Sequence, residues 1–168
     1  MNDSEHITNY CDILKYDVKA DWNKEWRDLR PNEKTKVFSW TSLHLGAVYR
    51  VTLCCQKDFK ITVCNSKYEV TGTIPENTIL SVGKTKNFAE RMRDHFSKSK
   101  TNSNRLLTRL KNIFEFEREE GLSWLSEMIL GGQIKIEYIQ IENWWQRDLL
   151  ESYGKAIHRC LFDLEIEH

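Results

Sequence analysis

Glycine and proline are scarce in this chain of 168 residues, seven and two respectively, which excludes flexible low-complexity linkers and proline-rich disordered organisation. No stretch approaches the roughly 18 to 20 consecutive apolar residues that a membrane span requires. The opening MNDSEHITNY has neither the basic start nor the apolar run of a secretory signal. The expected setting is therefore cytoplasmic, with no membrane partner. The five cysteines, Cys11, Cys54, Cys55, Cys64 and Cys160, are odd in number and lack the C-x-x-C spacing that closes a zinc site, so they read as reduced thiols. Cys54 and Cys55 are expected on a strand, pointing to opposite faces and unable to share one ion. A phosphate-binding loop of the Walker type is excluded as well, because the glycine it needs five residues before the Gly-Lys-Thr is Thr78 here.

Charge of one sign is also lacking overall, since 25 basic residues balance 25 acidic ones, but the balance is uneven along the chain. Residues 84–111 carry nine basic residues against two acidic ones, and residues 112–168 carry five against twelve. A local positive field of this kind can contact phosphates on an otherwise neutral protein. Lys86, Arg93, Lys98, Lys100, Arg105 and Arg109 are the candidate nucleic-acid contacts within it.

Apolar residues at 40% and charged residues at 30% fit one globular domain spanning 1–168. Trp22, Trp26 and Leu29 recur at helical spacing behind Asp21 and ahead of Pro31, which predicts an N-terminal helix over 21–30. AVYRVTLCC and FKITVCNSKYEVTG predict three strands before Pro75, the last two closed at Asn65-Ser66. TILSVG predicts another strand ending at Gly83. Asn87 is a fair cap for a helix over 88–98 that buries Phe88, Met92 and Phe96. Asn102 or Ser103 opens the next helix, with Leu106, Leu107, Leu110, Ile113 and Phe114 inward. Leu122, Leu125, Met128 and Ile129 form a further stripe with Trp124 on its flank, stopped by Gly131-Gly132. QIKIEYIQI reads as a strand with one covered face, and 144–161 as a helix with Trp145, Leu149, Tyr153, Ala156, Ile157 and Cys160 inward. On that helix Arg147, Glu151 and Lys155 fall together on a polar flank.

The AVYR strand, the block VGKTKNFAERMRDHF, and Arg91 and His95 one helical turn apart resemble the GIY-YIG nuclease family. That family carries a G-I-Y strand, a Y-I-G strand ending in Gly-Lys-Thr or similar, a helix with Arg followed four residues on by His or Tyr, and a later helix with one glutamate. Tyr49 stands at the first tyrosine, with Ala47 at the usual glycine and Gly46 one residue earlier; Ser81 stands at the second tyrosine. Glu151 sits on the final helix as the family's metal-binding glutamate does, without the Pro and Asn that often follow it.

The resemblance covers roughly two thirds of the chain. It implies an α+β fold, a small, mainly antiparallel sheet flanked by helices, with a core over 47–161. An N-terminal helical extension over 1–40 and the KDFKITVCNSKYEV hairpin look like additions to it. The implied activity is that of a DNA endonuclease using Mg²⁺ or Mn²⁺, with double-stranded DNA as partner and a homodimer as the arrangement suited to cutting both strands.

Phosphodiester hydrolysis requires an activated water, neutralisation of charge on the phosphorus centre and help for the departing oxyanion. In the implied site Glu151 holds the metal and Arg91 supplies a planar cation for the scissile phosphate. His95 moves a proton or binds phosphate, and Tyr49 relays a proton directly or through Lys84. All five side chains would have to meet in one shallow pocket. The rival reading is a non-catalytic module that keeps the fold and grips nucleic acid or a protein, with Ser81 marking lost hydrolysis. Trp144 and Trp145 read as packing.

Overall fold

The computed structural model describes residues 10–32, 34, 38–63, 68–96, 106, 110 and 121–160. Two short helices lead, α1 (Tyr10–Lys15) and α2 (Val18–Trp22), followed by the brief strand β1 (Arg27–Asp28) and a 3-10 turn at Ser39–Ser42. Strands β2 (Ala47–Leu53), β3 (Lys57–Val63), β4 (Tyr68–Ile74) and β5 (Thr78–Thr85) come next. Helix α3 (Phe88–Phe96), helix α4 (Gly121–Leu130), strand β6 (Ile134–Gln140) and helix α5 (Trp144–His158) complete the order. The architecture is α+β. A four-stranded sheet runs β1-β6-β2-β5, antiparallel at every pairing, and β3 and β4 form a separate two-stranded sheet.

Strand β2 is central because AVYRVTL is apolar or β-branched at almost every position and is buried throughout except at Arg50. Alternation sends Ala47, Tyr49, Val51 and Leu53 to one face, where Phe88 and Met92 of α3, Leu106, Leu110 and Ile129 gather. It sends Val48 to the other, where Leu150 of α5 and Trp22 of α2 pack. Each fully buried side chain of leucine size stabilises the fold by roughly 1.5–3 kcal/mol. The helices therefore sandwich the sheet.

Several expectations need correction. The helix expected over 21–30 is displaced: Asp17, not Asp21, is the cap, accepting from the Ala20 amide at 2.9 Å, and α2 ends at Trp22. The chain beyond is captured by the sheet, with Leu29 N donating to Ile136 O at 2.7 Å and Arg27 opposite Tyr138. Trp22 and Trp26 do pack, edge to face with centroids 4.8 Å apart. Strand β6 is covered on both faces, with Ile134, Ile136 and Tyr138 in one core and Ile139 in the other. Cys54 and Cys55 lie just past the end of β2 rather than on it. They and Cys160 are free thiols, as expected.

On α5 the expected inward stripe holds at Trp145, Tyr153 and Cys160 and fails at the other three positions. Leu149 and Ile157 are 38% and 46% exposed, whereas Leu150 and Arg147 are 0% and 7% exposed, and Ala156 is exposed too. The supposed polar flank turns toward the fold because its groups are satisfied there. Arg147 Nη1 donates to the carbonyls of Ile141 and Glu142 at 2.9 and 2.6 Å, in space that a side chain at Gly46 would fill. Gly154 likewise leaves room for the Trp22 indole.

The 64–67 turn, the helix expected from 102 or 103 apart from Leu106 and Leu110, and the side chains of Phe96, Leu122, Trp124 and Leu125 lie outside the described residues. Among the described residues no helix is long and apolar enough to cross a membrane.

One polar network sits inside the sheet. Arg50 Nε donates to Glu137 Oε2 at 2.8 Å, and Lys135 Nζ reaches Glu137 Oε1 at 3.0 Å, while the Arg50 guanidinium lies 4.2 Å from the Trp26 ring centroid. Burial raises the Glu137 pKa, but the hydrogen bonds from Arg50 and Lys135 outweigh it and hold the carboxyl below its ordinary value. Glu137→Gln should therefore destabilise the fold by about 1–3 kcal/mol at neutral pH. A urea midpoint unchanged from wild type at pH 7 would contradict that network's role.

Candidate functional site

Tyr49 stands opposite Gly83 on one side and Tyr138 on the other, in the middle of β2, facing α3. Its hydroxyl is held by two side chains of that helix. Arg91 Nε donates to the Tyr49 hydroxyl oxygen at 2.9 Å, and His95 Nε2 lies 2.9 Å from the same oxygen. The helix delivers both groups because Arg91 and His95 are four residues apart on one face. Asn87 starts α3 by accepting from the Glu90 amide at 3.2 Å, so the expected cap holds. Phe88 fixes the other end of the arrangement, with Tyr138 stacked on it at 4.5 Å.

Gly83 is required here by space. A Cβ built on it would lie 2.5 Å from both Cζ and the hydroxyl oxygen of Tyr49, so β5 passes the phenol only because this residue has no side chain. Gly83→Ala should push Tyr49 off its partners and cost about 1–3 kcal/mol. The check is the urea midpoint together with loss of the Tyr49 to His95 coupling in an NMR spectrum; an unaltered midpoint would show that the strand can shift at no cost.

The next residue along β5, Lys84, turns to the opposite face, toward α5. Its Nζ lies 2.8 Å from Asp148 Oδ1 and 3.2 Å from Glu151 Oε2, and Glu151 Oε1 also meets Lys155 Nζ at 3.2 Å. The hydrogen bond to Asp148, opposed by partial burial and reinforced by Glu151, raises the Lys84 pKa. Lys84 is thus a fixed ammonium and not a base at neutral pH, contrary to the expected relay through it.

The five expected residues accordingly form two groups rather than one pocket. Tyr49, Arg91 and His95 are hydrogen-bonded on the α3 face, and Lys84 and Glu151 are ion-paired on the α5 face. The groups lie on opposite faces of the sheet, beside Gly83 and Lys84, which are consecutive residues of β5, the outer strand of the described sheet. The His95 ring is 3% exposed, so it cannot touch a phosphate as expected. Burial, with Arg91 adding like-charge repulsion, lowers its pKa from 6.5 to about 3, and it is neutral throughout the physiological range.

Asp148 was not anticipated, although its place one turn before Glu151 was a usable signal, because Lys84 needs a second counter-charge. Ser81, at the position of the second tyrosine, is opposite Val51 beside a β-bulge. Lys86 and Arg93 are exposed, whereas Lys98, Lys100, Arg105 and Arg109 lie outside the described residues.

Among the described residues no three His, Cys, Asp or Glu side chains gather as a metal cage. The oxygens of Glu151 and Asp148 are neutralised by the Lys84 ammonium, and Glu151 also by Lys155, so a cation held there would have to displace a lysine. No family model, curated protein or solved structure matches the chain.

Proposed function

We propose that this protein is a metal-dependent DNA endonuclease acting at the rim of β5, in keeping with its resemblance to GIY-YIG nucleases. The observation that carries the reading is the hydrogen-bonded set of Tyr49, Arg91 and His95; Lys84, Asp148 and Glu151 are ion-paired on the other face of the sheet. Arg91 binds the scissile phosphate with the N–H groups that Tyr49 does not use and neutralises charge as it builds on the phosphorus centre. Tyr49, buried at 3% exposure, fixes the Arg91 guanidinium through its hydroxyl oxygen and acts through it. Lys84, held as an ammonium, binds a phosphate oxygen. Glu151, with Asp148 beside it, would hold Mg²⁺ on displacing a lysine, and the ion supplies Lewis-acid stabilisation of the phosphate and the leaving oxygen when bound. The exposed Lys86 and Arg93 add sequence-independent contacts to the DNA backbone.

Supercoiled plasmid incubated with the protein and Mg²⁺ tests this. Nicking by wild type, absent with chelator and absent in Glu151→Gln, is the expected result. Wild type and variant equally inactive, with DNA binding intact, would replace the enzyme by a non-catalytic binding module, the reading that Ser81 favours.

A further inference from the structure

We propose that the cleft between the two leading helices and the start of α5 binds an α-amino amide, the chemistry of a peptide's amino end, its carbonyl oxygen taken by the Trp145 indole N–H and its ammonium by Asp12. The cleft has a volume of about 440 Å³ and is walled by α1, Tyr16 and Asp17, α2, and Trp145 and Gln146 of α5. That volume falls in the range of small-molecule sites.

The feature that asks for a ligand is Trp145. It is 7% exposed, yet among the described residues it belongs to neither apolar core. Its Nε1 is buried without a hydrogen-bond partner. An indole nitrogen can only donate, and a buried donor left unpaired is destabilising, so packing alone does not account for this residue. The Tyr16 hydroxyl is buried too, with no partner in good hydrogen-bonding geometry. Burial, then the neighbouring Asp21 carboxylate, raises its pKa, which keeps the phenol a second donor. The two rings meet edge to face with centroids 5.3 Å apart, so one ligand can reach both.

Charge on the walls decides the ligand class. Asp12, Asp17 and Asp21 against Lys15 and Lys24 leave one net negative charge, which opposes a carboxylate or phosphate as the acceptor. The acceptor is therefore an uncharged carbonyl, and a cation beside it is favoured. Asp17 is engaged by the Ala20 amide and Asp21 by Lys24. Asp12, exposed on α1, is the carboxylate left for an ammonium. An α-amino amide carries an ammonium and a carbonyl on neighbouring carbons. None of these residues belongs to the proposed nuclease set, so the inference stands or falls independently of DNA cleavage.

Glycinamide titrated into the full chain with ¹⁵N-labelled tryptophan tests this, with the Trp145 indole signal assigned by its loss in Trp145→Phe. A saturable displacement of that one signal is expected, with a dissociation constant on the order of 1 mM. Ethylammonium, which has the cation and no carbonyl, should leave it in place. Asp12→Asn, an exposed change that spares the fold, should weaken glycinamide by about two- to fivefold. Triglycine amide separates the sources: affinity kept or raised marks a peptide's amino end, and affinity lost marks a free amino amide. An indole signal unmoved by glycinamide at about 50 mM overturns the proposal, the N–H being satisfied by trapped water or by the phenol face. Equal displacement by ethylammonium overturns the carbonyl's role, and unchanged affinity in Asp12→Asn overturns the placement of the ammonium.

Discussion

Arg91→Ala should lower the single-turnover rate of Mg²⁺-dependent cleavage by about 10²–10³-fold while weakening DNA binding much less. The asymmetry follows from where the guanidinium stands. It is half-buried on α3, and its Nε is committed to the Tyr49 hydroxyl at 2.9 Å. Its planar fork keeps further N–H groups for a phosphate. Truncation thus removes a charge at the transition state and releases the phenol. Arg91→Lys should not restore the rate, because one ammonium on a flexible stem cannot serve the hydroxyl and the phosphate in the same geometry. On the proposed reading Lys86 and Arg93, which are exposed, would still hold the DNA, so binding and catalysis should separate. A rate within tenfold of wild type for Arg91→Ala would remove Arg91 from the scissile phosphate.

Acid should destabilise the protein steeply, and His95 should account for much of the slope. In the folded state burial, then Arg91, lowers its pKa from 6.5 to about 3. Because the folded value is depressed, the unfolded chain binds the extra proton between those limits. Stability is complete above the ordinary imidazole range and falls as pH drops toward the folded value, by up to about 1.4 kcal/mol per pH unit. His158, held down by burial and Arg50, acts in the same direction. Glu137, held below its ordinary value, joins at lower pH: its contribution is present above the ordinary carboxylate range and lost as pH falls through the folded value. Comparing urea midpoints of wild type and His95→Phe from about pH 7 to pH 5 isolates the imidazole's share, since the variant lacks only that ionisation. A variant whose stability falls as steeply as wild type would show that His95 is protonated without unfolding.

Local signals in the sequence carried far. The β-branched run of β2, the Asn87 cap and the Arg91 to His95 spacing each depend on neighbours a few residues away, and each stands as expected in the fold. What escaped was decided by partners distant in the chain. β1 exists because Leu29 N finds Ile136 O, and two residues carry no periodicity. Half of the α5 stripe was misassigned because hydropathy counts Arg147 and Glu151 as solvent groups, whereas carbonyls at Ile141 and Glu142 and the ammonium of Lys84 draw them inward. In the candidate site, the membership of Tyr49, Arg91 and His95 in one hydrogen-bonded set was legible from the motif. The partition about β5 was not, because it depends on which way consecutive residues point at an edge whose register only the folded sheet defines.

The β3–β4 ribbon has a consequence for how this protein can change. Leu53 of β2 is opposite Thr78 of β5, and Lys57 is opposite Ile74 at the root of the ribbon, so the whole excursion leaves and rejoins the main sheet at one point. The sheet's alignment is set without it. Lengthening or shortening the ribbon beyond its root, where Ile74 and Phe59 pack on the core, alters closure entropy only slowly with length and leaves the pairing of Tyr49 with Gly83 in place.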